Sequence, residues 1–523
     1  WVSALIAGVR LSSRVATTRE SDYNWGMVSE TWAGMPEANF AADDVSDLVE
    51  TFTFDDHLKG DSFTNGNNTF WFPKLSMVDG SSMAEFYSTF ADRNSFANAQ
   101  WTDLASREGV VDGTPFLPTE IYETNEDRSA VFVQLDFGDE DADQPYSGNF
   151  GLRYVTWQID ASGADNFPSA PDANLQDQDL DPALTQDQID FANGAGGNVI
   201  TVKGEKFDRL LPSLNFKYGV TDDLIFRFAA SEGIWLPNLL QVRNQRNMSA
   251  GYTAYVDPGD PIDVNDDVIT GVVHDGFNAN GAGNPYLQPE ISANYDMAFE
   301  WYFADVGSLT FTQFYKRIRD FHRQATGYFD ITNPSNNVTQ SVGVTRTVNA
   351  GVAEVQGYEI AFQTTFDVLG EFWAPFGVQA SYTKIDGEEK SASAEAAPTD
   401  AEGSFGNFTG LPIEGLSEDN YNLVLFYDQE VFSARLAYSW RSDYLLNSRD
   451  VISFSPIYGE ATGQLDASFS YKISDNFKVG VEANNLTNEV TATSIQYNQD
   501  GIKTPRSYFA NDRRFALYLQ ATY

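Results

Sequence analysis

The side chains able to do chemistry are few and far apart. The 523-residue chain has three histidines, His57, His274 and His322, and no cysteine. That removes disulfides, a thiol nucleophile and a cysteine-held zinc ion. A hydrolase needs a nucleophile, a base and an orienting group in reach of one another, and no such constellation surrounds the three imidazoles. No catalytic residue is assigned and no cofactor is implied. The acidic runs Asp177–Asp187 and Asp260–Asp267 offer oxygen ligands of the kind calcium takes. DVNDD at Asp263–Asp267 lacks the EF-hand spacing, however, so these runs are solvated loop surface or hold divalent ions loosely, and no metal site is assigned. Gly194, Gly196 and Gly197 have no helix pattern after them and make no phosphate loop. Two sets of residues remain. One is charge placed between apolar neighbours: Arg10, Arg14, Arg153, Arg227, Asp296, Glu300, Glu359, Arg435, Asp466, Lys478 and Glu482. The other is aromatic: Trp25, Trp32, Phe54, Phe70, Trp71, Phe72 and Trp101, set among carboxylates. Ring faces beside hydrogen-bonding acids suit a neutral polyhydroxylated ligand; the plainer alternative is a small loop core. Trp25, Trp32, Trp71 and Phe72 are the candidate ligand-binding residues.

What positions the charged set is a run of strands. The last ten residues, RFALYLQATY, alternate: Phe515, Leu517, Leu519, Ala521 and Tyr523 fall on one side, Arg514, Ala516, Tyr518, Gln520 and Thr522 on the other. Period-two alternation marks a strand between two different environments. The length also matches a strand tilted across a bilayer, about 9–11 residues. The same phase returns along the chain. Leu5 to Val15 alternates. Arg128–Phe137 and Phe150–Ile159 flank an acidic turn. Ile200–Val220 is a long strand, and Leu224–Ser231 returns from Thr221-Asp222-Asp223. Tyr295–Phe303 and Leu309–Arg319 form a pair, Thr345–Phe366 is another long strand, and Phe376–Tyr382 follows. Two hairpins, Tyr421–Tyr427 with Phe432–Trp440 and Leu465–Tyr471 with Phe477–Ala483, precede the last strand.

That makes about fourteen strands, joined by short polar turns and long loops in strict alternation, as in outer-membrane barrels. A soluble sandwich has no reason to sort its loops by parity. Composition agrees. Acids outnumber bases 75 to 32, for a net charge of −43, which excludes a nucleic-acid partner. Phe, Tyr and Trp reach 14%, while mean hydropathy is only −0.35. No apolar run is long enough for a transmembrane helix; a barrel hides from hydropathy because its strands alternate. The fold class is therefore all-β, a transmembrane antiparallel barrel, with the charged set facing its lumen because the lipid face excludes charge.

The residues also resemble a known family. LPSLNFKYGVTDDLIFRFAAS (Leu211–Ser231), NPYLQPEISANYDMAFEWYF (Asn284–Phe303), VNAGVAEVQGYEIAFQ (Val348–Gln363), the stretch Gly415–Leu446 and the NNLTN run at Asn484–Asn488 resemble the C-terminal part of a TonB-dependent receptor of the bacterial outer membrane. YNWG (Tyr23–Gly26) and FWFP (Phe70–Pro73) are similar to the large-receptor branch that includes oligosaccharide importers. The resemblance implies a β-barrel portion over residues 1–523, with 20–126 a long external loop and 127–523 the best-matched strands. Against the family's 22 strands, the plug domain, the TonB-contacting box and about eight strands are missing, so an open sheet with two unpaired edges is expected. The resemblance further implies energy-coupled uptake, with outer-membrane lipid, the TonB-ExbB-ExbD complex acting through the missing plug, the barrel-assembly machinery and an oligosaccharide or other small molecule as partners. The lumen charges would hold the plug and wet the transport path, and Phe515 and Tyr523 would carry the assembly signal. A ferric siderophore is the alternative ligand; a passive porin or surface-adhesion barrel is the alternative function.

Overall fold

The computed structural model describes residues 2–21, 49–54, 68–75, 104–171, 173–192, 199–256, 269–349, 351–390, 408, 410–450, 453 and 455–522. The chain opens with β1 (Val2–Arg19) and the hairpin β2 (Val49–Thr53) and β3 (Thr69–Pro73). Next come β4 (Ile121–Asp139), β5 (Tyr146–Gly163), β6 (Asp165–Asn166), helix α1 (Gln186–Phe191), β7 (Ile200–Lys203), β8 (Phe207–Gly219) and β9 (Leu224–Trp235). The middle holds β10 (Arg246–Val256), β11 (Ile269–Ala282), β12 (Glu290–Trp301), β13 (Ser308–Arg319), β14 (His322–Thr332), β15 (Thr339–Asn349), β16 (Val352–Thr365) and β17 (Phe376–Lys390). Then follow β18 (Asp419–Asp428), β19 (Phe432–Arg441), β20 (Tyr444–Asn447), β21 (Ile457–Gly459), β22 (Thr462–Ser474), β23 (Phe477–Asn484), β24 (Val490–Gln496), β25 (Lys503–Ala510) and β26 (Arg514–Ala521).

One antiparallel sheet dominates. Its order is β1-β4-β5-β8-β9-β12-β13-β16-β17-β18-β19-β22-β23-β26, with β7 added on β5. The strands expected from the alternation lie on this path, apart from the first residues of Ile200–Val220 and of Thr345–Phe366. β1 and β26 are its ends, and no pairing joins them among the described residues. The short turns gather at one end of the sheet, the turn end, and the long connections at the other, the loop end.

Register decides what each face carries, because cross-strand partners share a face. Following Arg14↔Glu126↔Ile159, then Ser147↔Lys217↔Arg227↔Ala298 and onward across the sheet, every charged residue of the alternating set lies on one face. The opposite face is apolar and bare. Leu11 and Leu517 are each 76% exposed there, and Phe299, Ile360, Leu423, Leu436 and Val481 are exposed with them. Rings mark this face in two rows. Near the turn end stand Trp301 and Phe303 (5.2 Å), Phe376 and Tyr427 (4.8 Å), and Phe432 and Phe469 (4.9 Å). Toward the loop end stand Tyr421 and Trp440 (5.0 Å), Tyr295 and Tyr315 (6.3 Å), and Tyr358 and Tyr382 (6.1 Å). An apolar band between two aromatic girdles is the pattern of a barrel's lipid face.

Four expectations from the sequence need correction. Ile200–Val220 is two strands, because the chain breaks at Gly204, where an added Cβ would lie 2.5 Å from the Pro285 carbonyl. Thr345–Phe366 also divides. Gly351 turns the chain at φ +75°, and Thr345–Asn349 belong to β15, which pairs with β14 and β11 instead of the main sheet. The first loop ends at Glu120, since β4 begins at Ile121 and pairs with β1 out to Arg19. Finally, Asp165–Asn193, which reads as a polar loop from its DQDLDPALTQDQ run, is not featureless. It contains β6 and α1, whose N-terminus has a capping box between Thr185 and Gln188.

The alternation also missed two smaller sheets built from the long connections. One runs β14-β15-β11-β10-β6 and the other β20-β21-β24-β25. The first has its own core of Phe167, Phe191, Met248, Phe277, Ile331, Val342 and Val344.

Candidate functional site

The polar face is wired most tightly around Glu126, which is 1% exposed. Its carboxylate accepts from Arg128 (2.5 Å) and from the Trp157 indole N–H (2.8 Å), and Arg14 approaches to 3.2 Å. β1, β4 and β5 each place one partner there, because Arg14, Glu126 and Ile159 are in one register row and Arg128 and Trp157 in the next. Further along the face, Arg227 pairs with Glu300 at 2.8 Å. Arg435 donates to Gln379 (3.3 Å), Asp466 accepts from the Asn485 backbone N–H (2.8 Å), and Glu359 accepts from Thr383 (3.5 Å). The side chains of Arg10, Arg153, Asp296, Lys478 and Glu482 make no hydrogen bond or ion pair among the described residues. The expected charges thus share a wall, but only some are joined.

At the loop end this wall carries a layer that alternation could not reveal. β8 and β9 pair from Gly219↔Ile225 only as far as Ser213↔Ser231; beyond that β8 stays with β5 and β9 with β12. Glu232 of β9 reaches across the gap to Arg209 of β8 at 2.5 Å, and also meets Arg319 of β13 at 3.1 Å. The segment leaving β9, 236–245, lies against the polar face of β5 and β4. Val242 is fully buried there with Val155, Trp157, Ile159 and Ala161; Leu287 closes the same cluster, and Leu236 and Leu239 pack on it. Backbone meets backbone at two glycines. An added Cβ would lie 1.9 Å from the Asn244 carbonyl oxygen at Gly163, and 2.0 Å from the Arg243 oxygen at Gly283. A polar clamp finishes the contact. Tyr122 donates to Glu20 (2.6 Å), Arg243 donates to Tyr122 (3.2 Å) and to the Gly281 carbonyl (3.0 Å), and Arg243 lies 3.6 Å from Glu20. Burial, and then the Glu20 hydrogen bond, push the Tyr122 hydroxyl up to about 12, so it keeps the proton it donates.

The connections above are stitched to one another. Asn284 donates to the Thr347 carbonyl (3.0 Å), and Gln288 and Asn349 exchange two bonds of 2.8 Å. Asn333 donates to the Phe191 carbonyl at 3.0 Å. Two of the three histidines lie here, on different hairpins. The His274 ring stands 4.1 Å from that of Phe277, and burial holds its pKa below the usual range. His322 meets Glu290 at 3.6 Å. His57 lies outside the described residues.

Of the candidate ligand-binding aromatics, Trp25 and Trp32 lie outside the described residues. Trp71 and Phe72 are neighbours on β3 and therefore point to opposite faces of their hairpin. Phe72 joins Phe52, Phe54 and Phe70, with ring separations of 4.8 to 6.2 Å. Trp71 sits opposite Thr51 on the other face. The two rings do not make one platform.

A family model described as TonB dependent receptor-like, beta-barrel, matches residues 7–486. No curated protein matches the sequence. Among solved structures, the chain is similar to the ferric yersiniabactin uptake receptor FyuA of Yersinia pestis, at 13% identity and a TM-score of 0.40, covering 77% of this chain and 46% of that one. It is similar to the siderophore receptor PirA of Acinetobacter baumannii at 13% identity and 0.39, covering 77% and 59%. It is also similar to the ferric enterobactin receptor PfeA of Pseudomonas aeruginosa at 14% identity and 0.45, covering 79% and 57%. The chain spans about half the length of these receptors.

Proposed function

The chain belongs to the TonB-dependent receptor β-barrel family, and from that premise we propose that it is the barrel part of a bacterial outer-membrane transporter for energy-coupled uptake of one class of nutrient. Members of the family are transporters, not enzymes, and lie in the outer membrane. The observation that carries the proposal is the two-faced sheet. Its bare apolar face, with two rows of rings, meets lipid; its charged face lines the lumen, holds a plug domain and wets the path. TonB-ExbB-ExbD supplies the energy through that plug, and the barrel-assembly machinery inserts the chain, with Phe515 and Tyr523 as its signal. Tyr523 lies outside the described residues.

For the ligand, the net charge of −43 favours a neutral molecule, since the lipid face excludes charge and the acids collect in loops and lumen, where they repel anions. An oligosaccharide fits this. The similar solved receptors are receptors for siderophores, which makes a ferric siderophore at least as strong a candidate.

Two experiments examine the proposal. Because the chain has no cysteine, single introduced cysteines report unambiguously. Cysteine at Phe299, Trp301, Leu436, Tyr438, Trp440, Leu517 or Leu519 should react with a membrane-confined label. Cysteine at Glu300, Arg435, Asp466 or Glu482 should not. The reverse pattern would overturn the assignment of faces. In whole cells, uptake of oligosaccharides and ferric siderophores by the full-length receptor should stop when the proton gradient is collapsed. Uptake that continues unchanged identifies a passive pore and defeats energy coupling.

A further inference from the structure

The turn end of the sheet is uneven. Its connections are 140–145, 220–223, 302–307, 366–375, 429–431 and 475–476. The first two are acidic, with Glu140, Asp141, Asp143, Asp222 and Asp223. The fourth, between β16 and β17, is the longest and reads FDVLGEFWAP. Val368 is 83% exposed and Phe372 75%, with Leu369 and Trp373 exposed beside them. Val368 is the barest large apolar side chain among the described residues, barer than any on the lipid face. This turn is nevertheless built. The Phe366 N–H donates to the Phe376 carbonyl (2.9 Å), the Leu369 N–H to Phe366 (3.0 Å) and the Trp373 N–H to Gly370 (2.9 Å). Gly370 reverses the chain at φ +111°, a conformation open to glycine. The Asp367 carboxylate accepts the Val368 N–H (2.9 Å), and the Asp428 N–H ties the Pro375 carbonyl to the next turn (2.8 Å).

The rings show which side the turn lies on. Phe372 meets Trp373 at 5.3 Å, Trp373 meets Phe376 at 5.7 Å, and Phe376 meets Tyr427 of the turn-end girdle at 4.8 Å. A chain of rings thus leaves the girdle and continues past the last strand residue. In the neighbouring turn, Phe303 stacks on Phe362 of the same face (6.0 Å), and Val306 is exposed. We propose that 366–375 is a membrane anchor: Val368, Leu369 and Phe372 sink into the periplasmic leaflet, and Trp373 sits at the head groups. The occupant is zwitterionic phospholipid. The anchor is continuous with the face that already meets lipid. Indole and phenyl rings on a short apolar segment suit the interfacial zone. The turn's two charges, Asp367 and Glu371, are both negative, so anionic head groups would repel it. A domain held in the lumen would meet the charged face instead. The inference goes beyond the transport reading, because it assigns a lipid contact outside the spanning strands.

The test uses the full-length receptor in phosphatidylcholine vesicles, with an introduced cysteine as its only one. Val368→Cys, Leu369→Cys, Leu436→Cys and Asp141→Cys each carry an environment-sensitive fluorophore. Brominated phosphatidylcholine quenches from the lipid, and iodide on both sides of the membrane quenches from water. Labels at 368 and 369 should be blue-shifted and quenched by the brominated lipid several-fold more than the label at 141, and less by iodide. Replacing Phe372 and Trp373 together by Ser should move the label at 369 toward iodide. The heat-resistant form should remain, because no strand pairing is touched. Exchanging phosphatidylcholine for phosphatidylglycerol should not strengthen the lipid quenching; a gain would overturn the choice of a zwitterionic lipid. Labels at 368 and 369 that respond to iodide as the label at 141 does would place the turn in water and overturn the anchor. Shielding from both quenchers would mean that protein covers the turn, which overturns lipid as the occupant. Lipid quenching at 436 without it at 369 defeats the anchor alone. Its absence at 436 defeats the assignment of faces, and the anchor with it.

Discussion

Deleting Phe515–Tyr523 should abolish the membrane-inserted, heat-resistant form of the protein. β26 pairs with β23 along its whole length, from Asn484↔Arg514 to Phe477↔Ala521. Its apolar side is among the barest on the molecule, with Phe515, Leu517 and Leu519 at 65 to 76% exposure. Removing it strips β23 of every partner on that side. In lipid, each backbone group left without a partner costs several kcal/mol, so an added open strand is not a small defect. The loss should also exceed what any single loop deletion does, because loops lie outside the bilayer. Measuring inserted protein by its shift in mobility on heating decides the matter; normal inserted levels after the deletion would falsify the role given to this strand.

Glu126→Ala should be the most damaging single substitution on the charged face. Glu126 is almost completely buried, and it is the common acceptor of Arg14, Arg128 and the Trp157 indole. Removing one member of a buried ion pair typically costs about 3–5 kcal/mol. Here Arg14 and Arg128 retain about half and over a third of their exposure, so water can compensate them in part. Trp157 cannot be compensated that way, because it is 2% exposed; an orphaned buried donor costs about 1–3 kcal/mol. A net loss of about 3 kcal/mol is expected, read as a lower temperature for loss of the heat-resistant form. Glu126→Gln keeps an acceptor for the indole and should fall between. Equal melting of the Ala, Gln and unsubstituted proteins would show that the cluster carries no stability. Glu300→Ala, whose partner Arg227 is about half exposed, should cost much less.

The sheet was legible in the sequence because its two faces meet two solvents. Leu517 and Leu519 against Tyr518 and Gln520 can be read without any structure, and the same phase fixes Phe299 opposite Glu300. The polar set came out on one face for that reason: a one-residue slip would have put Arg227 or Asp466 in lipid. Alternation fails where both sides of a strand meet protein. Thr345–Asn349 continue the rhythm of β16, yet they leave for the loop sheet, and only Gly351 signals the break. The segment 236–245 was invisible for a related reason. Leu236, Leu239, Val242 and Leu287 lack the period of two, since what aligns them is the wall of β4 and β5 and not a strand of their own. Trp71 and Phe72 show the converse error. As adjacent residues they look like one aromatic surface in a sequence, but a strand sends neighbours to opposite sides. The glycine at 163 was an available clue, because a glycine at the end of a strand often marks a close backbone approach.

The parallel pairing of β11 with β15, from Phe277↔Val342 to Ala282↔Arg346, has a kinetic consequence. In sequence these strands are separated by the β12–β13 hairpin and β14, so closing that hairpin brings them near one another. Closing the hairpin first shortens the loop whose entropy the pairing must overcome. Pairing in the loop sheet is thus favoured by a hairpin that is already in register. A β12–β13 hairpin slipped by one residue would present β11 and β15 out of step, and Asn284 would miss the Thr347 carbonyl. Chains with the wrong pairing in the wall would then fail to bury Phe277, Val342 and Val344, and would carry an exposed apolar surface outside the membrane. The loop layer therefore ties the burial of its own core to the register of the strands beneath it.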